Sequence, residues 1–157
     1  MLLTCPICFF HCEQLHNVNG LANWNTSMLT NMHAMFTHCK NLNDVQGLTH
    51  WNTSHVTTMN CLFEDCYKLR NLYGLHQWDV GNVIGLISMF GSCNLSDVNQ
   101  LRAWRFNKVT YMTYMFENNL NLTDLTGLTD WNVKTVKCMT AMFRQCKSLE
   151  SLSALKH

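Results

Sequence analysis

The sequence predicts a repeat solenoid of the α/β class, with short parallel strands on one face and short helices on the other. The first observation behind this prediction is a period, because five tryptophans recur at intervals of 27, 27, 26 and 27 residues. The second is that apolar residues keep fixed places between the tryptophans, first with helical spacing and then in an extended segment. A single repeat buries too few apolar side chains to offset its conformational entropy, so the repeats must stack.

Equivalent positions in successive repeats form columns of one residue type. Each tryptophan is followed 12 residues later by a phenylalanine, and three residues further on there is usually a cysteine. Because these positions keep register with apolar columns, we interpret the aromatic residues as core and the cysteines as structural thiols. The columns are Trp24, Trp51, Trp78, Trp104 and Trp131; Phe9, Phe36, Phe63, Phe90, Phe116 and Phe143; and Cys12, Cys39, Cys66, Cys93 and Cys146, with Asn119 in the fifth repeat.

Within one repeat, the spacing predicts a short helix followed by a short strand. Val56, Met59 and Leu62 stand at i, i+3 and i+6, and Phe63 follows at i+7, which places all four on one helix face. Stretches such as "WNTS" and "WDVGN" precede this segment and supply residues that cap helix N-termini. Extended stretches such as "LNDVQGL" follow it, and a recurrent glycine near their end indicates a bend.

The period covers the whole chain and predicts one domain, residues 1–157. A partial repeat occupies residues 1–23, and further repeats start near each tryptophan. Both ends fall within a repeat and carry no obvious polar cap. Because solenoids need a polar surface on their outermost repeats, we expect self-association through uncapped ends.

The stretch "CPICFFHC" near the start has two interpretations. Cys5 and Cys8 have the C-x-x-C spacing of a zinc site, with His11 or Cys12 as further ligands. Shifted by one repeat, however, the stretch overlays the next repeat, and the two cysteines take positions that mostly hold methionine. The favoured interpretation is therefore a buried repeat with no metal, and a metal- or redox-responsive protein stays an alternative.

Composition and motifs exclude several classes of protein. The net charge is +1, charged residues make up 13%, and no basic run exists, so nucleic-acid binding is not expected. No apolar run reaches the ~18 residues of a membrane span, and the N-terminus does not resemble a signal peptide. No catalytic or cofactor motif is present, so the sequence predicts neither an enzyme nor a cofactor.

The columns resemble leucine-rich repeats, and "W-N-T-S-x-V-T-x-M-x-x-x-F-x-x-C" more closely resembles the 26-residue BspA-type repeat of bacterial surface proteins. "GLTDWNVKTVKCMTAMFRQCKSLESL", residues 127–152, is similar along its whole length. The resemblance implies a protein-binding or adhesion module of a larger cell-surface protein, with a protein partner on a host or neighbouring cell. We recognise neither a signal peptide nor a wall anchor in this sequence, so a surface location is expected only if it is part of a longer exported protein.

Binding is expected on the outward positions of the strand layer, because repeat proteins expose extended surfaces there. Arg70 and Tyr73 are the best candidate anchors, since these residue types dominate interface energetics. The alternative is a structural or cryptic repeat fragment without its own ligand. The candidate binding residues are Asp44, Gln46, Arg70, Asn71, Tyr73, Asp97, Asn99, Asp124 and Thr126.

Overall fold

A computed structural model describes residues 6–155, which form a stack of six rungs with one repeat in each. We number the rungs from the N-terminus and let each begin at its tryptophan, apart from the first. Cys5 lies outside the described residues. The rungs comprise residues 6–23, 24–50, 51–77, 78–103, 104–130 and 131–155.

Successive rungs pair in parallel along two stripes. The first stripe joins one residue from each of the second to sixth rungs, Asn31, Thr58, Gly85, Tyr111 and Cys138, in an unbroken series of single parallel bridges. The second stripe pairs residues 17 with 44 and 97 with 124. Each pairing is an isolated bridge, so residues 6–155 contain no longer strand. The predicted strands are thus reduced to single bridges.

The segment predicted as a helix forms a series of turns instead, which we call the turn segment (residues 59–65 in the third rung). The amides of Met59, Cys61 and Phe63 donate to carbonyl oxygens of the fourth rung at 2.8 to 3.1 Å. The amides of Leu62 and Glu64, between them, donate to the carbonyl three residues earlier, as Leu62 does to Met59 at 3.3 Å. Burial follows the predicted spacing, but half of the amides bond the next rung, and the described chain contains no α-helix.

A left-handed backbone at two columns explains why the turn segment is not a helix. Cys61 has a φ of 57° and Asp65 a φ of 60°, and such values interrupt a right-handed helix. Each left-handed residue costs roughly 1 kcal/mol or more, which the bonds between rungs offset. The two columns are Ile7, Ala34, Cys61, Ser88, Tyr114 and Ala141, and His11, His38, Asp65, Ser92, Asn118 and Gln145.

Short 3₁₀ turns follow the second stripe and lead the chain back toward the next tryptophan. Residues Gly47 and Leu48 of one such turn are buried, while the first residue, Gln46, is exposed. Five rungs contain this turn and the third rung lacks it. The turns are Asn19–Leu21, Gln46–Leu48, Asn99–Leu101, Thr126–Leu128 and Ser153–Leu155.

The core is one continuous cluster that runs along the stack. Neighbouring phenylalanine rings lie nearly parallel, with centroids 5.5 Å apart for Phe36 and Phe63 and 5.9 Å apart for Phe63 and Phe90. The tryptophans of the third to sixth rungs also bind the rung before them, as when the indole N–H of Trp78 donates to the carbonyl of Leu48 at 3.0 Å. The repeat solenoid is therefore present, whereas the α/β description of its rungs is not confirmed.

Candidate binding surface

The predicted binding residues lie along the second stripe and the 3₁₀ turns that follow it. Gln46, Tyr73, Asn99 and Thr126 occupy one exposed column at the first turn position. Asp44, Asn71, Asp97 and Asp124 occupy a neighbouring, partly exposed column two residues earlier. The structure thus arranges these residues as two adjacent rows on one side of the stack, with Arg70 beside them.

The aspartate and asparagine row also has a structural task that the sequence analysis missed. The Oδ1 atoms of Asp44 and Asp124 accept the backbone N–H two residues later, at 2.9 and 2.8 Å. Asn71 accepts the N–H of Tyr73 in the same way at 3.2 Å. Such turns are typical of Asp and Asn, so the residue types themselves carried the signal. One oxygen of each of these side chains is therefore used within the turn.

Asp124 is the best-organised carboxylate on this surface. The backbone N–H of Thr126, then the side chains of Asn99 and Thr126, donate hydrogen bonds that lower the pKa of Asp124 below its usual value. Asn99 Nδ2 reaches Asp124 Oδ2 at 3.0 Å, and Thr126 Oγ1 reaches Asn99 Oδ1 at 2.7 Å. The side chains of Asn99, Asp124 and Thr126 therefore form one network that spans two rungs.

The second stripe is interrupted at the third rung. Asn71 forms no bridge with Asp44 below it or with Asp97 above it, although the flanking rungs pair normally. A cleft of about 410 Å³ opens at this point, lined by Asn43, Lys68, Arg70, Asn71 and Asn94. We call it the Arg70 cleft. The ring of Tyr73, two residues from Asn71, is exposed beside it.

The glycine column changes in the fourth rung, next to the interruption. A Cβ at Gly47 would lie 2.2 Å from the carbonyl oxygen of Val18, so glycine is what allows adjacent rungs to approach at this column. The fourth rung carries Gln100 there, and its Oε1 is buried without a hydrogen-bond partner. The third rung below it departs from the repeat, with a φ of 113° at Gly74.

The cleft is positively charged at its rim. Lys68 and Arg70 are both exposed. None of the ion pairs formed within residues 6–155 involves either side chain. Three asparagine amides line the same cleft and offer both donors and acceptors. The cleft is therefore suited to carboxylate groups.

The thiols of the cysteine column donate hydrogen bonds to backbone carbonyl oxygens. The thiol of Cys66 donates to the carbonyl oxygen of Phe36 at 3.2 Å, and the thiol of Cys93 does the same to Phe63. Burial raises the pKa of Cys39 to about 11 and that of Cys66 well above its usual value. Asn119 replaces the thiol in the fifth rung, and its Nδ2 donates to Phe90 O at 2.8 Å.

The N-terminal cysteines are only partly described. Cys8 is disulfide-bonded, which removes the free thiolate that a zinc ligand requires. Cys12 is an exposed thiol, and the His11 ring packs against the His38 ring with centroids 4.3 Å apart and the two planes tilted by 34°. No group of three metal-ligating side chains is assembled between residues 6 and 155. The zinc hypothesis also depends on Cys5, which lies outside this range.

Over the same residues, no helix has the length and apolarity needed to cross a membrane. A leucine-rich repeat protein from Bacteroides ovatus ATCC 8483 has a similar structure, with a TM-score of 0.61 and 15% sequence identity. The likeness covers 94% of this chain, which spans 33% of the length of that protein. It confirms a leucine-rich-repeat-like fold but does not distinguish the BspA type.

Comparison with curated proteins gives no match. A family model does match, over residues 5–124 and again over residues 67–155. The two overlapping matches together cover nearly the whole chain, which is consistent with a repeated sequence unit. The chain therefore belongs to the family described as "Mycoplasma protein of unknown function, DUF285".

Proposed function

We propose that the chain is a non-enzymatic protein-binding module that engages an acidic segment of its partner at the Arg70 cleft. The observation that carries this proposal is the interruption of the second stripe, which opens a cleft in an otherwise regular surface. Lys68 and Arg70 stand at the cleft without acidic partners, so a carboxylate from outside would meet both charges. Tyr73 supplies an exposed aromatic surface beside them.

An adhesion role at the cell surface forms part of the same proposal. The resemblance to bacterial surface repeats favours an adhesion role within a larger cell-surface protein, facing a host or neighbouring cell. The repeat family and the leucine-rich-repeat neighbour are consistent with an interaction module.

The binding site is tested by titrating the ¹⁵N-labelled chain with a blocked hexaglutamate peptide and recording amide shifts by NMR. We expect shifts confined to residues near Lys68, Arg70 and Asn94. Arg70→Ala is expected to weaken binding by about tenfold, which corresponds to about 1.4 kcal/mol. Arg102→Ala is the matched control, because Arg102 is an exposed arginine outside the cleft that pairs with Asp130.

Binding that Arg70→Ala and Arg102→Ala weaken equally would contradict the proposed site. The adhesion role needs a separate test, with the array displayed on a non-adherent bacterium and attachment to epithelial cells counted. We expect the Arg70→Ala, Tyr73→Ala double variant to lose the added attachment. Undiminished attachment by this variant would show that adhesion does not use the cleft.

A further inference from the structure

One backbone column beside the second stripe joins rungs by hydrogen bonds. In the second rung, the amide of Asn43 donates to the carbonyl of His16 in the first rung at 3.0 Å. In the fifth rung, the amide of Thr123 donates to the carbonyl of Ser96 in the fourth rung, also at 3.0 Å. Arg70 holds this column in the third rung. The same pattern would join Arg70 N–H to the carbonyl of Asn43, and the carbonyl of Arg70 to the amide of Ser96.

The backbone of Arg70 makes neither of these bonds. Among residues 6–155, its N–H has no acceptor and its carbonyl has no donor. The carbonyl of Asn43 is unused over the same residues. The third and fourth rungs are joined here by a different pair, in which the amide of Asn94 donates to the carbonyl of Leu69 at 3.0 Å. The backbone of Arg70 therefore keeps one donor and one acceptor for another molecule.

These unused groups belong to the Arg70 cleft, because Asn43 and Arg70 both line it. The second and fourth rungs lie on either side of the third and are both described. The unused groups are thus a feature of the interior of the stack. Backbone N–H and C=O groups are strong hydrogen-bonding groups that proteins seldom leave without a partner. The cleft therefore offers main-chain bonds in addition to the charges of Lys68 and Arg70.

The presence of both a donor and an acceptor indicates which part of a partner is recognised. A carboxylate offers acceptors only, so it can pair with Lys68 and with the N–H groups of Arg70 but leaves the Arg70 carbonyl unused. A peptide main chain offers both an N–H and a C=O. An extended acidic segment satisfies all of these groups, since its main chain can bond the backbone of Arg70 while its carboxylates meet the two cationic side chains.

We propose that the acidic segment binds the Arg70 cleft as an extended strand whose main chain hydrogen-bonds to the backbone of Arg70. The arrangement rests on the proposed function and adds the conformation in which the segment is recognised. One carbonyl of the segment accepts the Arg70 N–H, and the segment's N–H two residues later donates to the Arg70 carbonyl, as between parallel strands. Arg70 then contributes its backbone and its guanidinium to the same contact.

Two exposed tyrosines indicate the length of the segment. Tyr67 precedes Lys68 and is 47% exposed, and Tyr73 lies six positions after Tyr67 and is 53% exposed. The chain between them spans at most about 20 Å, which an extended segment of about six residues matches. Aromatic residues contribute strongly to protein interfaces, so a segment of this length gains a ring at each end.

The test compares two peptides of equal charge, both blocked at their ends, by NMR titration of the whole ¹⁵N-labelled chain. Hexaglutamate has main-chain N–H groups, whereas hexa-N-methylglutamate has none. We expect the N-methylated peptide to bind about three- to tenfold more weakly, which corresponds to the loss of one hydrogen bond. A six-unit oligomer of acrylic acid has carboxylates but no amides, and it is expected to bind as weakly as the N-methylated peptide.

Arg70→Ala is a useful variant here because it removes the guanidinium and keeps the backbone. It is expected to weaken both peptides and to leave the ratio of their affinities unchanged. Amide hydrogen exchange gives a second measurement. In the free chain, we expect the Arg70 amide to exchange faster than that of Thr123, which is bonded to Ser96. Saturation with hexaglutamate is expected to slow exchange at Arg70 by about tenfold and to leave Thr123, the control, unchanged.

The possible failures are distinguishable. Equal affinities of hexaglutamate and its N-methylated form at the cleft would overturn the strand arrangement and leave the acidic site of the proposed function in place. Exchange at Arg70 in the free chain as slow as at Thr123 would also overturn it, because the Arg70 amide would already be bonded. The absence of any hexaglutamate-induced shift near Lys68 and Arg70 would overturn both the strand arrangement and the proposed site.

Discussion

Interior and terminal rungs carry the same columns of residues but differ in what those residues experience. Leu62 and Phe63 are 0% exposed in the third rung, whereas Met142 and Phe143 keep some exposure in the sixth. The indole of Trp51 donates to Leu21 at 3.1 Å, whereas Trp24 has no such partner among the described residues. In this fold, a side chain is therefore buried by the neighbouring rung as much as by its own rung.

Replacing a phenylalanine of the stacked column by alanine is expected to destabilise an interior rung more than the sixth rung. Phe63→Ala removes a ring stacked on both sides and is expected to lower the free energy of unfolding by about 3–5 kcal/mol. Phe143→Ala removes a ring stacked on one side only, so we expect roughly half that loss. Urea unfolding followed by tryptophan fluorescence measures both. Equal losses would mean that the end rung is as well packed as the interior.

The glycine column gives a second contrast between the two regions. Gly47→Ala places a Cβ 2.2 Å from the Val18 carbonyl oxygen and is expected to cost about 1–3 kcal/mol through displaced backbone. Gly20→Ala meets nothing within 4 Å, so its effect is expected to stay within about 0.5 kcal/mol. Thermal unfolding of the two variants measures the difference. A neutral Gly47→Ala would show that the rungs separate easily.

Asn119 takes the place of the column cysteine in the fifth rung. Asn119 Nδ2 donates to Phe90 O and Phe116 O, and its Oδ1 accepts the amide of Leu95. Asn119→Ala leaves the buried amide of Leu95 without its acceptor and removes a donor from the carbonyls of Phe90 and Phe116, so it is expected to cost about 1–3 kcal/mol in urea unfolding. Asn119→Cys restores a thiol donor toward Phe90 and is expected to cost less than Asn119→Ala. A larger loss of stability for Asn119→Cys than for Asn119→Ala would exclude the thiol as a hydrogen-bond donor to the backbone at this position.

Two thiols are expected to differ in reactivity toward alkylating agents, with no change in the free energy of unfolding. The hydroxyl of Thr113, then Thr140, donates hydrogen bonds that lower the pKa of Cys138 in the sixth rung to about 7. The rate at which iodoacetamide alkylates Cys138 is expected to rise with pH and to reach half its maximum at about pH 7, because the thiolate is the nucleophile. Burial raises the pKa of Cys66, which is expected to react only after unfolding.

Mass spectrometry of the alkylated peptides distinguishes these two thiols. Thr113→Val is the control, because it removes the largest contribution to the lowered pKa and is expected to move the midpoint for Cys138 to higher pH. If Cys66 reacted in the folded chain at the same rate as Cys138, the predicted difference in thiol reactivity between the interior rungs and the sixth rung would be contradicted.

Side-chain burial could be predicted from the sequence, but backbone conformation could not. The spacing of Val56, Met59 and Leu62 correctly indicated that they are buried together. It did not reveal that Cys61 is left-handed, because cysteine has no special preference for that region. The second left-handed column contains His38, Asp65 and other types enriched there, a signal that the spacing argument overlooked.

The candidate surface shows the same limit. The sequence indicated which outward residues share a row, and the structure places Arg70, Asn71 and Tyr73 close together. The cleft lies where the third rung departs from the bridging pattern of the other rungs. Periodicity indicates what the rungs share, so it could not predict this local departure. The use of these residues in binding stays a prediction.

The bonding of alternate turn-segment amides to the next rung determines how the chain responds to mechanical force. Because these bonds join rungs rather than neighbouring residues, tension on the two chain ends loads the outermost rung first. Each rung that peels away frees one repeat of 27 residues and lengthens the tether by about 90 Å. Pulling a single molecule should therefore give a regular series of extension steps, so that the array yields gradually under load.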